Sequence, residues 1–467
     1  MSDSLLRRKP IVPEQQEGHG LARTLGWPHL IALGVGAIVG TGILTLIGVG
    51  ADKAGPAVIL AFGIAGLICA CACAALAYAE MATMIPASGS AYTYSYVVIG
   101  ELIAWVVGWS LILEYSLVVS AVAVGWSGYA APLLEAWAGV PMALMQGPEL
   151  GGIVNLPAIA IIAVVAGLLL VGTRESATLN AILVVVKVIA LVIFVAVALP
   201  AFNAANLEPF SPYGFAKDMG SDGVERGVMA AAAIIFFAFY GFDAIATAAE
   251  ETKNPDRDLK IGIVGSMFVC VVIYIAVAVA AVGAIAYTRF ANSPEPLALI
   301  LRELGSPLAA QYLAVSAIIA LPTVILAFFY GQSRIFFTMA RDGLLPASLA
   351  TLSSRGTPVR ITIFTALVVA VLAGFIPLGE LAALANAGTL AAFTAVSICM
   401  LIMRVRAPDA PRTFRAPMPW VIGAIAVLGC IYLFFSLPAQ TQLWFLVWNV
   451  VGLAVYFLYA RRNAVVG

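Results

Sequence analysis

Twelve apolar runs dominate the amino-acid sequence, and each is long enough for an α-helix to cross a hydrocarbon core about 30 Å thick. The runs lie at residues 28–50, 56–80, 99–130, 153–172, 178–199, 227–249, 261–286, 308–340, 359–377, 380–403, 418–437 and 442–460. Two of them, 99–130 and 308–340, are longer than a bilayer requires, which indicates tilted helices or helices that project beyond it. The sequence therefore predicts an all-α integral membrane protein with twelve transmembrane helices.

The composition excludes several classes of protein. With 63% hydrophobic and 10% charged residues, the chain has too little polar surface for a soluble globule. Neither histidine lies deep in a run, and Cys69, Cys71 and Cys73 are interpreted as small packing residues because no histidine or carboxylate adjoins them. No cluster of catalytic side chains occurs at one depth. We therefore expect no enzyme, no metal site and no cofactor.

The distribution of basic residues predicts the orientation in the membrane. If the N-terminus is cytoplasmic, seventeen of the 24 lysines and arginines fall on the cytoplasmic side, five fall outside and two lie within runs. Cytoplasmic loops carry an excess of lysine and arginine, so this asymmetry places both termini in the cytoplasm. Residues 1–27 are expected to be a cytosolic tail of a multi-pass protein of the inner membrane.

Lys187 lies near the midpoint of the run 178–199, too deep for its ammonium to reach the lipid headgroups easily. A charged group at this depth costs at least about 2.5 kcal/mol and normally faces a polar interior. We therefore interpret Lys187 as part of an ion or substrate pathway. The alternative is a structural lysine that donates hydrogen bonds to carbonyl groups of a neighbouring helix.

Glycines interrupt the first and sixth runs at a similar depth. Those in the first run are Gly34, Gly36, Gly40 and Gly42. In the sixth run Gly241 and Asp243 interrupt an aromatic segment. One interpretation is a tight helix crossing through the Gly36/Gly40 pair. The other is a pair of broken helices, which in corresponding halves of a chain point to a transport site.

Spans one and six hold the same place in two successive sets of five, and an odd number of helices per set gives the two sets opposite orientations. This pattern predicts two inverted five-helix repeats, at residues 28–200 and 201–404. Helices eleven and twelve follow at residues 405–467, with a cytosolic C-terminus.

Broken helices also expose backbone groups that bind charged ligands. The half-helix that starts near Gly42 offers unpaired N–H groups and a positive dipole end, which suit a carboxylate. The half-helices that end near Ile38 and between Phe237 and Tyr240 offer unpaired carbonyl groups, which suit an ammonium. A carboxylate site beside an ammonium site predicts an α-amino acid as the ligand.

Several segments resemble one known group of transporters. They are GVGAIVGTGIL in span one, YAEMATMIPASGSAYTYSYVVIGELIAWVVGWSLILEY from span two into three, FFAFYGFDAIATAAEETKNPDRDLKIGI from span six into seven and YGQSRIFFTMARDGLLP in span eight. Over residues 20–405 the chain resembles the amino acid-polyamine-organocation superfamily, and especially its cationic amino acid transporter branch, which includes bacterial proton-coupled transporters. The resemblance implies the fold of the bacterial leucine transporter, with a 5+5 inverted repeat plus two helices.

The resemblance also implies a substrate site formed by Ile38, Gly40, Thr41, Gly42, Phe237 and Tyr240. Thr41 and Gly42 are expected to bind the carboxylate, and the Ile38 carbonyl is expected to receive the amine. The carbonyl groups of Phe237 and Tyr240 are expected to contact the amine as well, with the Phe237 ring as a gate.

In the same branch, a lysine of span five takes the place that a sodium ion occupies in sodium-coupled relatives. The segment ESATLNAILVVVKVIALVIF puts Lys187 at that position. An ammonium and Na⁺ both satisfy carbonyl groups of spans one and eight, and burial favours the neutral form of a lysine. The resemblance therefore implies that Lys187 couples transport to protons.

Other charges within or beside the spans have two interpretations each. Glu114 in span three is a candidate proton-relay or gating group, or else a structural carboxylate bonded to a neighbouring hydroxyl. Asp243 either receives a cationic substrate side chain or caps the second half of span six. A further set at the cytoplasmic end of span eight is expected to form a latch or to support the fold: Glu250, Glu251, Arg334, Arg341 and Asp342.

These inferences predict a proton-coupled symporter of L-amino acids that works by alternating access, embedded in the lipid bilayer and without a nucleic-acid partner. One alternative is a proton-independent exchanger or facilitator in which Lys187 is a fixed positive group. Another is a sensor that binds amino acids without transporting them. We favour small neutral substrates over cationic ones, since a single acid supports a cationic side-chain site only weakly. The sequence does not specify a small membrane subunit.

Overall fold

A computed structural model describes the chain at residues 7–9, 25–68, 74–85, 89–171, 177–239, 241–243, 245, 252–291, 293–349 and 359–464. The side chains of residues 177–180, 255, 256, 334 and 347 are not described. Tyr240, Cys69, Cys71 and Cys73 lie outside the described residues.

The described residues are mostly helical. The α-helices are α1 (Trp27–Ile38), α2 (Thr41–Leu44), α3 (Leu46–Ala54), α4 (Val58–Gly66), α5 (Ala74–Met84), α6 (Ser90–Val98), α7 (Glu101–Ala138), α8 (Leu156–Val171), α9 (Ala177–Ala198), α10 (Val228–Ile235), α11 (Pro255–Ala284), α12 (Pro296–Glu303), α13 (Pro307–Arg341), α14 (Val359–Phe375), α15 (Leu378–Arg406), α16 (Pro419–Ser436), α17 (Ala439–Val455) and α18 (Arg461–Asn463). Short 3₁₀ turns include Phe236–Ala238 after α10, and a π-helical turn, Tyr456–Ala460, joins α17 to α18. Two short strands, β1 (Asp218–Met219) and β2 (Glu225–Arg226), pair antiparallel.

Eight helical segments in the described part of the chain are long and apolar enough to cross a membrane, judged by length and composition. Shorter apolar helices cover the runs near α1, α8, α10 and α14. The excess length predicted for the third and eighth runs is present, because α7 has 38 residues and α13 has 35. At 1.5 Å per residue, α7 is about 57 Å long.

The longest helices form the frame around the broken spans. Helix α7 packs against α13 and α15, and α1 packs against α11. All residues of α2 and α10 are buried, so the breaks in spans one and six lie in the interior. Helices α16 and α17 expose most of their apolar side chains, as expected for a surface that faces lipid.

The predicted outer end is covered by the segment that contains β1 and β2. The N–H of Gly227 donates to the carbonyl of Lys53, and the N–H of Ala57 donates to the carbonyl of Phe210, both at 2.9 Å. The segment is therefore hydrogen-bonded to the backbone where span one connects to span two. The hydropathy pattern gave no indication of this hairpin.

The N-terminal segment crosses the predicted cytoplasmic end. Lys9 forms an ion pair with Asp342 at 2.8 Å, and the Tyr92 hydroxyl donates to the other carboxylate oxygen at 2.8 Å. The N–H of Glu101 donates to the carbonyl of Arg7 at 2.9 Å. Asp342 thus pairs with Lys9 of the tail, a residue that the predicted latch did not include. Three members of that latch are not described, at least in their side chains: Glu250, Glu251 and Arg334.

Candidate functional site

Span one is broken where the glycine pattern predicts. Helix α1 ends at Ile38, the backbone continues in an extended conformation through Val39 and Gly40, and α2 begins at Thr41. The alternative of an unbroken helix with a tight crossing therefore does not describe this span. Close packing still explains one of its glycines, because a Cβ on Gly34 would overlap the side chain of Ser266.

Span six is broken at the same level. Helix α10 ends at Ile235, a 3₁₀ turn covers Phe236–Ala238, and Gly241 has φ +120°. Side chains rarely tolerate this backbone conformation, so the turn requires glycine.

The two breaks contact each other. A Cβ on Gly42 would overlap the Cα and Cβ of Ala238, and a Cβ on Gly241 would lie 3.0 Å from the backbone carbon of Ala37. Each break thus has a glycine at the point where it contacts the other span. These glycines permit a backbone approach that any side chain would prevent.

Side chains satisfy the carbonyl groups that the break leaves at the end of α1. The Lys187 ammonium donates to the carbonyls of Gly36 (2.8 Å) and Val39 (3.0 Å), and only 3% of the residue is exposed. The Tyr274 hydroxyl donates to the carbonyl of Ile38 at 2.7 Å. A helix leaves its last carbonyl groups without partners, and a cation is favourable at this negative dipole end. Both interpretations of Lys187 require these contacts.

Two polar partners of the broken helices, Tyr274 and Asn386, were not predicted from the sequence. Tyr274 occupies one acceptor position on the Ile38 carbonyl, which has a second lone pair for a ligand amine. Asn386 in α15 donates to the carbonyls of Ala233 (2.7 Å) and Ile234 (3.0 Å) near the end of α10. Both are polar residues inside apolar runs, and such residues usually form hydrogen bonds to neighbouring helices. This pattern could have marked them as candidates.

A small cavity lies between the two breaks. It is lined by Ala37, Ile38, Gly40, Thr41, Gly42, Val118, Val122, Phe237, Val324 and Phe328. Five residues of the predicted substrate site thus line one cavity, while Tyr240 is outside the described residues. The other five, Ala37, Val118, Val122, Val324 and Phe328, were not predicted, although the i, i+4 pair Val118 and Val122 marks one face of α7. The lining has no charged side chain.

The Thr41 hydroxyl is an unusual group in this lining. Only 1% of Thr41 is exposed, and its Oγ1 has no hydrogen-bond partner among the described residues. Leaving a buried hydroxyl unpaired costs about 1–3 kcal/mol. It stands at the start of α2, where the first N–H groups also lack helical partners, so a ligand oxygen or N–H group can satisfy it.

Asp243 lies beside the cavity but is not part of its lining. Its Oδ1 accepts from the N–H of Gly241 at 3.1 Å, and its Oδ2 accepts from the hydroxyl of Tyr115 at 3.0 Å. Only 2% of the residue is exposed. These contacts hold the turn of span six, which agrees better with a cap-like role than with recognition of a cationic side chain. The Tyr115 ring in turn contacts Phe328 of the lining, with centroids 5.4 Å apart.

Glu114 is also buried outside the lining, with 1% of the residue exposed. Its Cβ packs close to Gly388 of α15, and its carboxyl group lies near the Thr389 hydroxyl. The neighbouring hydroxyl fits a structural carboxylate, and an Oε2 without a hydrogen-bond partner among the described residues fits a relay. Both interpretations of Glu114 remain.

Comparisons with known proteins identify the family of the chain. The sequence profile of the family described as "Amino acid permease" matches residues 25–458. The chain is similar to the branched-chain amino acid permease BcaP of Bacillus subtilis, with 42% identity over 99% of each chain. It is equally similar to the methylthioribose transporter of the same organism, at 42% over 99% of each. The vacuolar cationic amino acid transporter 2 of Arabidopsis thaliana is 39% identical over 87% of this chain and 64% of its own length.

Proposed function

Because the chain belongs to the amino acid permease family, we propose that it is a proton-coupled amino acid symporter that works by alternating access in the inner membrane. The observation that carries the proposal is a cavity between two broken helices that is lined by Thr41, whose hydroxyl has no hydrogen-bond partner among the described residues. The α2 N-terminus suits a substrate carboxylate. The second lone pair of the Ile38 carbonyl suits its ammonium. An α-amino acid satisfies both groups at once.

The cavity lining favours a neutral aliphatic substrate. Val118, Val122, Val324 and Phe328 line the cavity together with the backbone groups, and none of the described lining residues is acidic. Burying an aliphatic side chain there gains about 25 cal/mol per Å² of apolar surface, whereas an unpaired cation would lose its hydration. The relative named as a branched-chain amino acid permease supports this choice over the relative named as a cationic amino acid transporter.

The coupling ion is proposed to be a proton carried by Lys187. Its ammonium stands where two carbonyl groups of span one need a cation. Loss of the proton would weaken both hydrogen bonds and so change the stability of the break. In the alternative, a proton-independent exchanger, the ammonium stays charged throughout. Glu114 is proposed as a second relay group.

The architecture proposed with this function has twelve transmembrane helices. The paired breaks support inverted repeats at 28–200 and 201–404, with two helices in 405–467. The excess of basic residues supports a cytoplasmic tail at 1–27 and a cytoplasmic C-terminus.

Leucine uptake into proteoliposomes tests the function and the substrate class together. With a pH gradient, acidic outside, we expect accumulation of labelled leucine above the external concentration, and a protonophore should collapse it. Unlabelled valine and isoleucine should compete, while arginine should not. Methylthioribose lacks both the carboxylate and the ammonium, so we expect no competition from it. Methylthioribose uptake without leucine uptake would contradict the proposal.

The substitution Asp243→Asn should affect all substrates alike. It weakens hydrogen bonds to the Gly241 N–H and the Tyr115 hydroxyl, and hydrogen bonds to a charged group contribute about 1.5–3 kcal/mol. We expect lower thermal stability and similar fractional losses in binding of leucine and alanine, measured by calorimetric titration. Selective arginine binding in the wild type, lost only in this variant, would instead assign Asp243 to the pocket.

A further inference from the structure

A second and larger cavity, of about 270 Å³, lies at the predicted outer end between α7, α12 and α13. Its walls include Tyr129 and Leu133 of α7, Glu295 and Arg302 at either end of α12, and Gln311 of α13. None of these residues lines the cavity between the two breaks. The proposed transport mechanism does not use it.

The polar wall of this cavity carries both signs of charge. The guanidinium of Arg302 forms an ion pair with Oε1 of Glu295. Only 7% of Glu295 is exposed, whereas 45% of the Arg302 side chain is exposed. Burial raises the pKa of the Glu295 carboxyl despite the arginine. Arg302 contacts only Oε1 in this ion pair, and an ionised carboxylate has two acceptor oxygens, so Glu295 can accept from a second donor.

The apolar wall of the cavity continues onto an exposed apolar surface of α13, as expected for contact with lipid. Val315 lines the cavity and is 40% exposed. Leu308 and Ile319, seven residues before it and four after it on α13, are 81% and 53% exposed. These spacings put the three side chains on one face of the helix. The cavity therefore joins a charged end to a lipid-facing apolar stripe.

We propose that this cavity binds the headgroup of phosphatidylethanolamine from the adjacent leaflet. The lipid ammonium would donate to Glu295, and the phosphate would accept from Arg302 and Gln311. The glycerol and first acyl carbons would cover Leu133 and Val315. Phosphatidylcholine has no N–H to donate to Glu295, and phosphatidylglycerol has no cation, so the charge pattern selects among lipids that share the same acyl chains.

Native mass spectrometry on detergent-purified, delipidated protein tests the site. After exposure to dioleoyl lipids at equal concentration, we expect phosphatidylethanolamine to be retained about tenfold more than the other two, the effect of one hydrogen bond to a charged group. Glu295→Gln should make the ethanolamine and choline lipids equal. Arg302→Gln should reduce retention of the ethanolamine and glycerol lipids alike. The control is Arg289→Gln, which breaks the ion pair of Arg289 with Glu303 outside the cavity.

Equal retention of all three lipids by the wild type would overturn the proposal, as would a preference for phosphatidylglycerol. Retention unchanged in both Glu295→Gln and Arg302→Gln would do the same. Displacement of the retained lipid by leucine would also overturn it, because the cavity would then be a second amino acid site. If a variant folds poorly, the melting temperature of the wild type in each lipid is the test. We expect this temperature to be higher with phosphatidylethanolamine than with phosphatidylcholine. None of these measurements depends on transport, so they leave the proposed function untouched.

Discussion

The variant Lys187→Ala is expected to lose the ability to concentrate leucine, while remaining inserted and folded. Removing the ammonium leaves the carbonyl groups of Gly36 and Val39 without this donor, at a cost of about 1–3 kcal/mol each. It also removes the group that we propose carries the proton. Uptake under an imposed pH gradient should fall to equilibration, with an internal concentration no higher than the external one.

Two further variants separate coupling from structure. Lys187→Arg keeps a positive charge that does not lose its proton at physiological pH, so it should also fail to concentrate leucine. Lys53→Ala removes another partly buried lysine that donates to a carbonyl, that of Glu225 at 3.0 Å, and should concentrate leucine normally. Protonophore-sensitive accumulation by Lys187→Ala at the wild-type rate would refute the proposed role and favour a fixed structural lysine.

Gly42→Ala is expected to weaken leucine binding strongly through one added methyl group. The new Cβ would overlap the Cα and Cβ of Ala238, so the two breaks would have to separate. Overpacking of this kind costs about 1–3 kcal/mol and displaces the backbone. Calorimetric titration should show at least about a tenfold loss of affinity, which corresponds to 1.4 kcal/mol.

The control for this variant is Gly63→Ala in α4, where an added Cβ meets no atom within 4 Å. It should bind leucine as the wild type does. Combining Gly42→Ala with Ala238→Gly removes one of the two overlapping atoms and should restore part of the affinity. Wild-type affinity in Gly42→Ala alone would mean that the contact between the breaks does not shape the site.

The elements that depend on local pattern could be predicted from the sequence. The length of each apolar run predicts a helix, and the cluster of glycines in span one predicts the break before Thr41. Both signals can be recognised because each lies within one segment of the chain. The predicted site residues Ile38, Gly42 and Phe237 line one cavity because all three lie at a helix break. The number of helices and the inverted repeat remain predictions.

Partners from distant spans could not be predicted. Tyr274 is 236 residues from the carbonyl it bonds, and Asn386 is 153 residues from Ala233. An apolar run does not indicate which neighbouring helix a polar side chain within it faces. Neither partner could therefore be identified from the sequence. The same limit explains why Lys9 was not matched with Asp342, 333 residues away.

The position of the Lys187 ammonium also bears on the salinity in which the protein can work. A free metal ion at the end of α1 would leave whenever the surrounding medium became dilute. The ammonium is covalently attached to α9, so a fall in the sodium concentration does not remove it from the carbonyl groups of Gly36 and Val39. Leucine uptake should therefore be the same in fresh and brackish media, with potassium or choline in place of sodium.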